Sequence, residues 1–270
     1  MKQLVCFKSV ADLDQLPSAF WQQLHAANID NLLPVLNLSF LRQIFNLKDE
    51  AALELAMNFK EKLDAAEVES TAVTIGDQTN QTLMNQLLAI GYDEVVRLLP
   101  EQIIELKWSS ELKAGLLADY VTQTSQDLVV LGESDSESGL GETGYFLADI
   151  LGWPCLNNVT EYSLSDSGEL EVKCDYGQGC KVYSVKLPAV LLTGDSADKT
   201  CLRLPTLLQK QQAKSKEITV LKVSVPDDSC VPRLTLTLAD TQRKGEVIYG
   251  EVETQVEQLW NKYLQQRWPS

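Results

Sequence analysis

The stretch from Gln126 to Pro154, QDLVVLGESDSESGLGETGYFLADILGWP, carries the residue types of an anion site in the order such a site needs. A short apolar strand, Asp127 to Leu131, runs into a glycine-rich polar loop, which opens directly into a helix of apolar period. Gly132, Gly139, Gly141 and Gly144 let backbone N–H groups approach a ligand that side chains would otherwise exclude. The helix beginning near Thr143 points the positive end of its dipole at the same place. The implied ligand is a phosphate or nucleotide, although turns of this kind also serve purely structural ends.

Other chemistry is poorly provided for. The six cysteines, Cys6, Cys155, Cys174, Cys180, Cys201 and Cys230, form no CxxC pairs, so their spacing suggests neither zinc nor an iron–sulfur cluster. The single histidine, His25, lies in the amphipathic segment Ala19 to Ala27, where it reads as a helix-surface residue.

The elements around the loop alternate. Met1 to Ser9, Ser70 to Ile75, Glu94 to Leu98, Asp127 to Leu131 and Ala189 to Thr193 have strand length. Between them lie helical periods: Asn46 or Asp49 can cap a helix through Lys62, followed by Thr79 to Ile90, and by Ser109 to Thr124 with Ser110 as its cap. The pattern predicts an α/β fold of Rossmann-like type, a mostly parallel sheet with helices on both faces. Residues Cys155 to Lys186 break the rhythm with apolar–polar alternation around SDSG and YGQG, predicting β-hairpins. Beyond Pro188 the chain reads as irregular, then extended to Val225, then as a last helix, Thr254 to Gln266, ending in Trp268. The expected division is a nucleotide-binding domain over 1–195 and a C-terminal arm over 196–270.

A net charge of −15 over 270 residues argues against nucleic-acid binding, which needs a basic face to displace counterions. The local exception is the lysine cluster Lys210, Lys214 and Lys216. No apolar run approaches the roughly 20 residues of a membrane span, and MKQLVCFKSV enters a strand without a signal-peptide pattern, so a cytoplasmic location is expected.

Five blocks, in order, resemble the β subunit of electron-transfer flavoproteins: MKQLVCFKSVAD, NLKDEAALELA, GLGETGYFLADILGWP, LPAVLLTG followed by Arg203 to Leu207, and AKSK from Ala213 to Lys216. The ending RKGEVIYGEVETQVEQLWNKYLQQR is similar to the tails of the bacterial branch. The resemblance implies an electron carrier rather than a catalyst with its own substrate. It implies a heterodimer with an FAD-bearing α subunit, taking electrons from a flavoprotein dehydrogenase, with AMP or a second FAD held by the β subunit. Carried over by position, the nucleotide pocket would involve Cys6, Lys8, Asn46, Asp49, Ile75, Gly76, Gly132, Gly139, Gly141, Glu142, Thr143 and Gly144. Read without the family, Cys6, Asn46 and Ile75 equally suit a core thiol, a helix cap and a core aliphatic. Partner recognition would fall to Arg203, Leu207, Lys214 and Lys216, although Leu204, Leu207 and Leu208 equally suit a helix face packed on the core.

The chain departs from the family pattern at several points. Glu142 stands where glutamine is common, which would bring a carboxylate toward the phosphate region. Tyr145 replaces a polar residue, Ser215 replaces a lysine, and Lys199-Thr200-Cys201 replaces Asn-Glu-Pro. Two further readings follow: a degenerate β subunit with a structural role only, and a nucleotide-binding sensor similar to the universal stress proteins. The long tail and hairpin insertion weigh against the sensor.

Overall fold

The computed structural model describes residues 1–17, 40–63, 67–100, 109–135, 139–194, 201–225, 245, 247–265 and 267. His25 and Cys230 lie outside these residues. The elements, in chain order, begin with strands β1 (Lys2–Cys6), β2 (Ser9–Ala11) and β3 (Gln43–Phe45), then helix α1 (Leu47–Lys62), β4 (Glu69–Ile75), α2 (Gln81–Ile90) and β5 (Glu94–Pro100). They continue with α3 (Ser110–Thr124), β6 (Leu128–Gly132), α4 (Thr143–Leu151), β7 (Cys155–Leu156), β8 (Val159–Leu164), β9 (Leu170–Asp175), β10 (Cys180–Val185) and β11 (Ala189–Thr193). The last are α5 (Leu207–Ala213), β12 (Thr219–Val223) and α6 (Val252–Leu259), which runs into a π-helical turn, Trp260–Leu264.

Among the described residues the main sheet has seven strands in the order β12-β5-β4-β1-β6-β11-β7, every neighbouring pair parallel. The chain winds outward from β1 through β4 to β5, then returns beside β1 as β6 and winds the other way to β11. The β1/β6 boundary is therefore the topological switch point of a doubly wound sheet, where adjoining crossovers diverge and leave a crevice. Both faces are covered, which explains the nearly continuous apolar runs LVC, LVVL and AVLL. On one face α1 and α2 pack through Leu53, Ala56, Phe59, Met84 and Leu87 onto Val5, Ala72, Val95 and Val130. On the other, α3 and α4 pack through Ala114, Leu117, Val121 and Leu147 onto Leu4, Val73, Val96 and Val129.

The hairpin segment forms an antiparallel sheet, β10-β9-β8, with turns at the two expected places. Gly168 and Gly177 take φ of +79° and +78° there, a left-handed conformation that suits glycine. Tyr162 ties this sheet to the core: its ring lies 4.7 Å from that of Phe59 and its hydroxyl donates to Gln3 Oε1 at 3.2 Å.

Several boundaries differ from the sequence reading. The first strand ends at Cys6 rather than Ser9, because the Lys8 N–H leaves the ladder for the Asp49 carboxylate. Ser109, not Ser110, caps α3, its hydroxyl accepting from the Leu112 N–H at 3.3 Å. The region after Thr193 that reads as irregular contains α5, whose capping box joins Thr206 and Gln209. The extended piece becomes β12 and adds a strand to the sheet edge beside β5. The expected division at 195 and the compact units of the structure, Met1–Leu234 and Thr235–Ser270, fall at different places. In the second unit the helix starts at Val252 rather than Thr254, and Gln266 and Trp268 lie outside the described residues.

Candidate functional site

A cavity of about 420 Å³ opens at the C-terminal ends of β1, β4 and β6, within the range of roughly 300–1,000 Å³ usual for small-molecule sites. Nine of the expected residues line it: Cys6, Lys8, Asn46, Asp49, Ile75, Gly76, Gly132, Gly141 and Thr143. Sequence reading missed Thr74, Asp77, Asn80, Ser110 and Lys113, which line the same cavity.

Asp49 organises the crevice. It sits in the first turn of α1, where the helix dipole favours a carboxylate. Its Oδ2 accepts the Lys8 N–H and its Oδ1 the Gly132 N–H, each at 2.8 Å, so one side chain joins the ends of β1 and β6. Burial raises its pKa to about 6; the two N–H bonds and Asn46 pull downward, and the nearby Asp135 adds to the rise. Asn46 extends the staple by donating to the Ser134 carbonyl at 2.9 Å, holding the descending limb of the glycine loop. Thr193 completes it, its hydroxyl donating to the Lys48 carbonyl at 2.7 Å.

Charge at the mouth is paired. Lys8 Nζ lies 3.0 Å from Asp135 Oδ1, so this cation is held at the loop rather than free in solvent. Cys6 is buried, and desolvation followed by the Asp49 charge pushes its thiol far above the usual range, leaving it a neutral wall of the cavity.

The glycines divide by role. Gly139 and Gly141 have φ of +64° and +66°, which bends the loop back toward α4. A Cβ on Gly141 would stand 3.0 Å from the Glu133 carbonyl oxygen. Gly144 does not line the cavity: it is buried where a Cβ would collide with Leu192, so it lets α4 pack against β11. Gly139 also lies off the cavity wall.

Glu142 is not among the residues that line the cavity. It is exposed at the N-cap of α4, away from the cavity wall, and borders a shallow groove with Tyr145, Phe146 and Asp149. Tyr145 is likewise outside the cavity, its hydroxyl donating to Glu133 at 3.0 Å and accepting from Asn157 at 3.1 Å.

The recognition residues lie elsewhere in the first unit. Arg203 forms a bidentate pair with Glu54, reaches Glu61 and donates to Asn58, all on α1. Leu202 and Arg203 also donate their N–H groups to Glu50 and Glu54. Arg203 therefore clamps the base of the segment. Above the clamp, Leu204, Leu207 and Leu208 are 82%, 81% and 63% exposed, which excludes the core-packed alternative. Lys214 is exposed, and Lys216 donates to the Tyr92 carbonyl at 3.2 Å.

No described helix is long and apolar enough to cross a membrane. Among the described residues no cluster of His, Cys, Asp or Glu could hold a metal ion.

A doubly wound parallel sheet with a polar crevice and a glycine loop at its switch point defines a Rossmann-like α/β protein. The model of the electron transfer flavoprotein domain matches residues 38–226, and the chain belongs to that family. Among its relatives, a protein of Escherichia coli (strain K12) named as an electron transfer flavoprotein subunit, YgcR, is 29% identical over 99% of both chains. The mitochondrial electron transfer flavoprotein subunit beta of Oryza sativa subsp. japonica is 28% identical over 79% of this chain and 83% of its own. The subunit beta of Bacillus subtilis (strain 168) is 24% identical over 80% and 84%. The chain is a β-subunit-like member of the electron transfer flavoprotein family.

Proposed function

We propose that this chain pairs with an FAD-bearing α subunit to carry electrons from a flavoprotein dehydrogenase to an acceptor, and that its own crevice holds an adenine nucleotide, AMP or a second FAD. The observation that carries the nucleotide is the cavity at the β1/β6 switch point, walled on one side by residues 132–135, Gly141 and Thr143 and fixed by Asp49. The lining suits a phosphate: Gly141 and Thr143 bring the backbone at the start of α4 to the cavity, and Lys8, shared with Asp135, stands at its mouth. Ile75, Gly76 and Leu131 offer an apolar wall for a ring. When bound, the flavin supplies the electron-transfer chemistry; this chain contributes positioning. The exposed leucines above the Arg203 clamp suit docking on a dehydrogenase, because burying one leucine contributes about 1.5–3 kcal/mol while the polar surroundings keep the contact transient.

The test is to co-purify the chain with its α subunit, denature the complex and separate the released nucleotides. AMP with one FAD per heterodimer supports a single-flavin carrier, and two FAD support a two-flavin complex. FAD without a second nucleotide would leave the β crevice a structural relic, and no nucleotide at all would overturn the electron-transfer reading.

A further inference from the structure

The wall of the crevice opposite the glycine loop carries a polar arrangement that the nucleotide loop does not explain. Arg97, in β5, is only 3% exposed, and its partners are neutral. Nε and Nη2 donate to Asn80 Oδ1 at 3.3 and 3.1 Å, and Nη2 also meets Gln81 Oε1 at 2.8 Å and Met84 Sδ at 3.2 Å. Among the described residues no salt bridge forms to it, although the Asp77 carboxylate on the same wall is near enough to act on its charge. A guanidinium only donates, so the Asn80 atom facing it must be the carbonyl oxygen. That fixes the orientation of the amide.

Asn80 is 2% exposed and lines the cavity. With Oδ1 turned back to Arg97, its Nδ2 is left beside Gly76, 3.4 Å from where a Cβ on that glycine would stand. It donates to no described residue. Asn80 Nδ2 is not sealed as Thr74 Oγ1 is, so on the cavity wall its N–H groups are open to an acceptor on a ligand or to water. Thr74 pairs with Arg97 across β4 and β5, and its buried hydroxyl, at the same wall, also lacks a partner among the described residues.

Resting on the nucleotide reading above, we propose that Asn80 is a specificity-determining residue, presented as a hydrogen-bond donor by Arg97 to an acceptor atom on the base of the bound nucleotide. Arg97 is a positioning residue, since it acts through Asn80. The spacing agrees: β4 and β6 lie on either side of β1, and strands repeat at about 4.8 Å, so the phosphate loop and this wall stand about 10 Å apart. A mononucleotide with its phosphate at the loop places its base, not its ribose, at that distance. The wall offers a fixed donor, so it selects a base edge carrying a ring nitrogen or carbonyl acceptor.

The experiment compares binding of AMP and of ribose 5-phosphate to the full-length chain, wild type and Asn80→Asp, by calorimetry, with thermal midpoints alongside. The substitution keeps the shape, gives Arg97 an anionic partner and removes the donor. The expected result is an AMP affinity lowered tenfold or more, ribose 5-phosphate affinity unchanged, and a thermal midpoint equal to or above wild type. Arg97→Met, which frees the amide to turn, is expected to weaken AMP selectively as well, and it serves if Asn80→Asp does not fold. Unchanged AMP affinity, or equal losses on both ligands, would overturn the inference while leaving the nucleotide reading intact. Failure of the wild type to bind AMP while it binds FAD would move the comparison to FAD, with the same expected tenfold loss. Failure to bind either nucleotide would overturn the nucleotide reading and this inference with it.

Discussion

Asp49 and Gly132 lie 83 residues apart in sequence, yet the Asp49 carboxylate accepts the Gly132 N–H at 2.8 Å while its other oxygen takes that of Lys8. The residue expected to touch a ligand is thus the staple that sets the distance between the two strands framing the crevice.

This staple titrates near neutrality. Burial raises Asp49 to about 6 in the folded chain, against about 3.9 when unfolded. The folded state therefore holds this proton more tightly. The resulting stability is present in full below about pH 4 and is lost as pH rises through about 6, on the order of 3 kcal/mol in all. Asp49→Asn cannot titrate. Urea unfolding of both proteins from pH 4 to 7 should show the stability of the wild type relative to the variant falling with pH, and a difference that rises would refute the assignment.

Gly132 has no room for a side chain. A Cβ there would displace the Asp49 carboxylate and press on the Asp49 nitrogen and Lys48 Cβ, both at 2.9 Å. Gly132→Ala should destabilise by about 1–3 kcal/mol through overpacking and lower nucleotide retention with it. Gly139 faces open space, so Gly139→Ala costs only the left-handed backbone, about 1 kcal/mol. Chemical denaturation that ranks Gly139→Ala as the more damaging would contradict this geometry.

What the sequence made legible was whatever repeats locally. Short apolar runs alternating with helical periods pointed to the parallel sheet, and the glycine spacing to the loop. The role of Asp49 was hidden because its partners are backbone groups 41 and 83 residues away, which leave no mark on side-chain patterning. Asn80 and Arg97 escaped notice for a similar reason: they meet only because α2 folds back across β5. The helix α5 stayed open, a helix face at Leu204, Leu207 and Leu208 being one of two readings, although the Thr206-x-x-Gln209 capping box was a readable signal for it. That Glu142 lies off the cavity wall was not legible either, since the facing of an N-cap side chain depends on how α4 docks.

Glu142 consequently gives a sharp contrast with its sequence reading. A carboxylate facing a phosphate would weaken nucleotide binding, and neutralising it would strengthen binding. Because the side chain is exposed and off the cavity wall, Glu142→Gln should leave nucleotide affinity within about twofold, a surface change of less than roughly 0.5 kcal/mol. Titration of AMP into both proteins checks this, and a tenfold gain would restore the inward-facing carboxylate.

The clamp and the leucines above it should separate in their effects. Arg203→Ala removes the bidentate bond to the buried Glu54 and leaves that carboxylate without its cation, keeping only the backbone N–H; the expected loss is about 1–3 kcal/mol, below that of a fully buried pair because the guanidinium is partly exposed. Leu207→Ala changes a side chain that is 81% exposed and should leave stability within about 0.5 kcal/mol. If the leucines dock on a dehydrogenase, both variants weaken that contact. Leu207→Ala does so by deleting the anchor, whereas Arg203→Ala leaves the anchor in place on an unfixed base. Steady-state reduction of the αβ complex by its dehydrogenase should then show a raised KM for both, about tenfold for Leu207→Ala, with kcat retained because neither residue lines the crevice. An unchanged KM for Leu207→Ala beside an intact fold would remove the leucines from the docking surface and leave Arg203 a purely structural clamp.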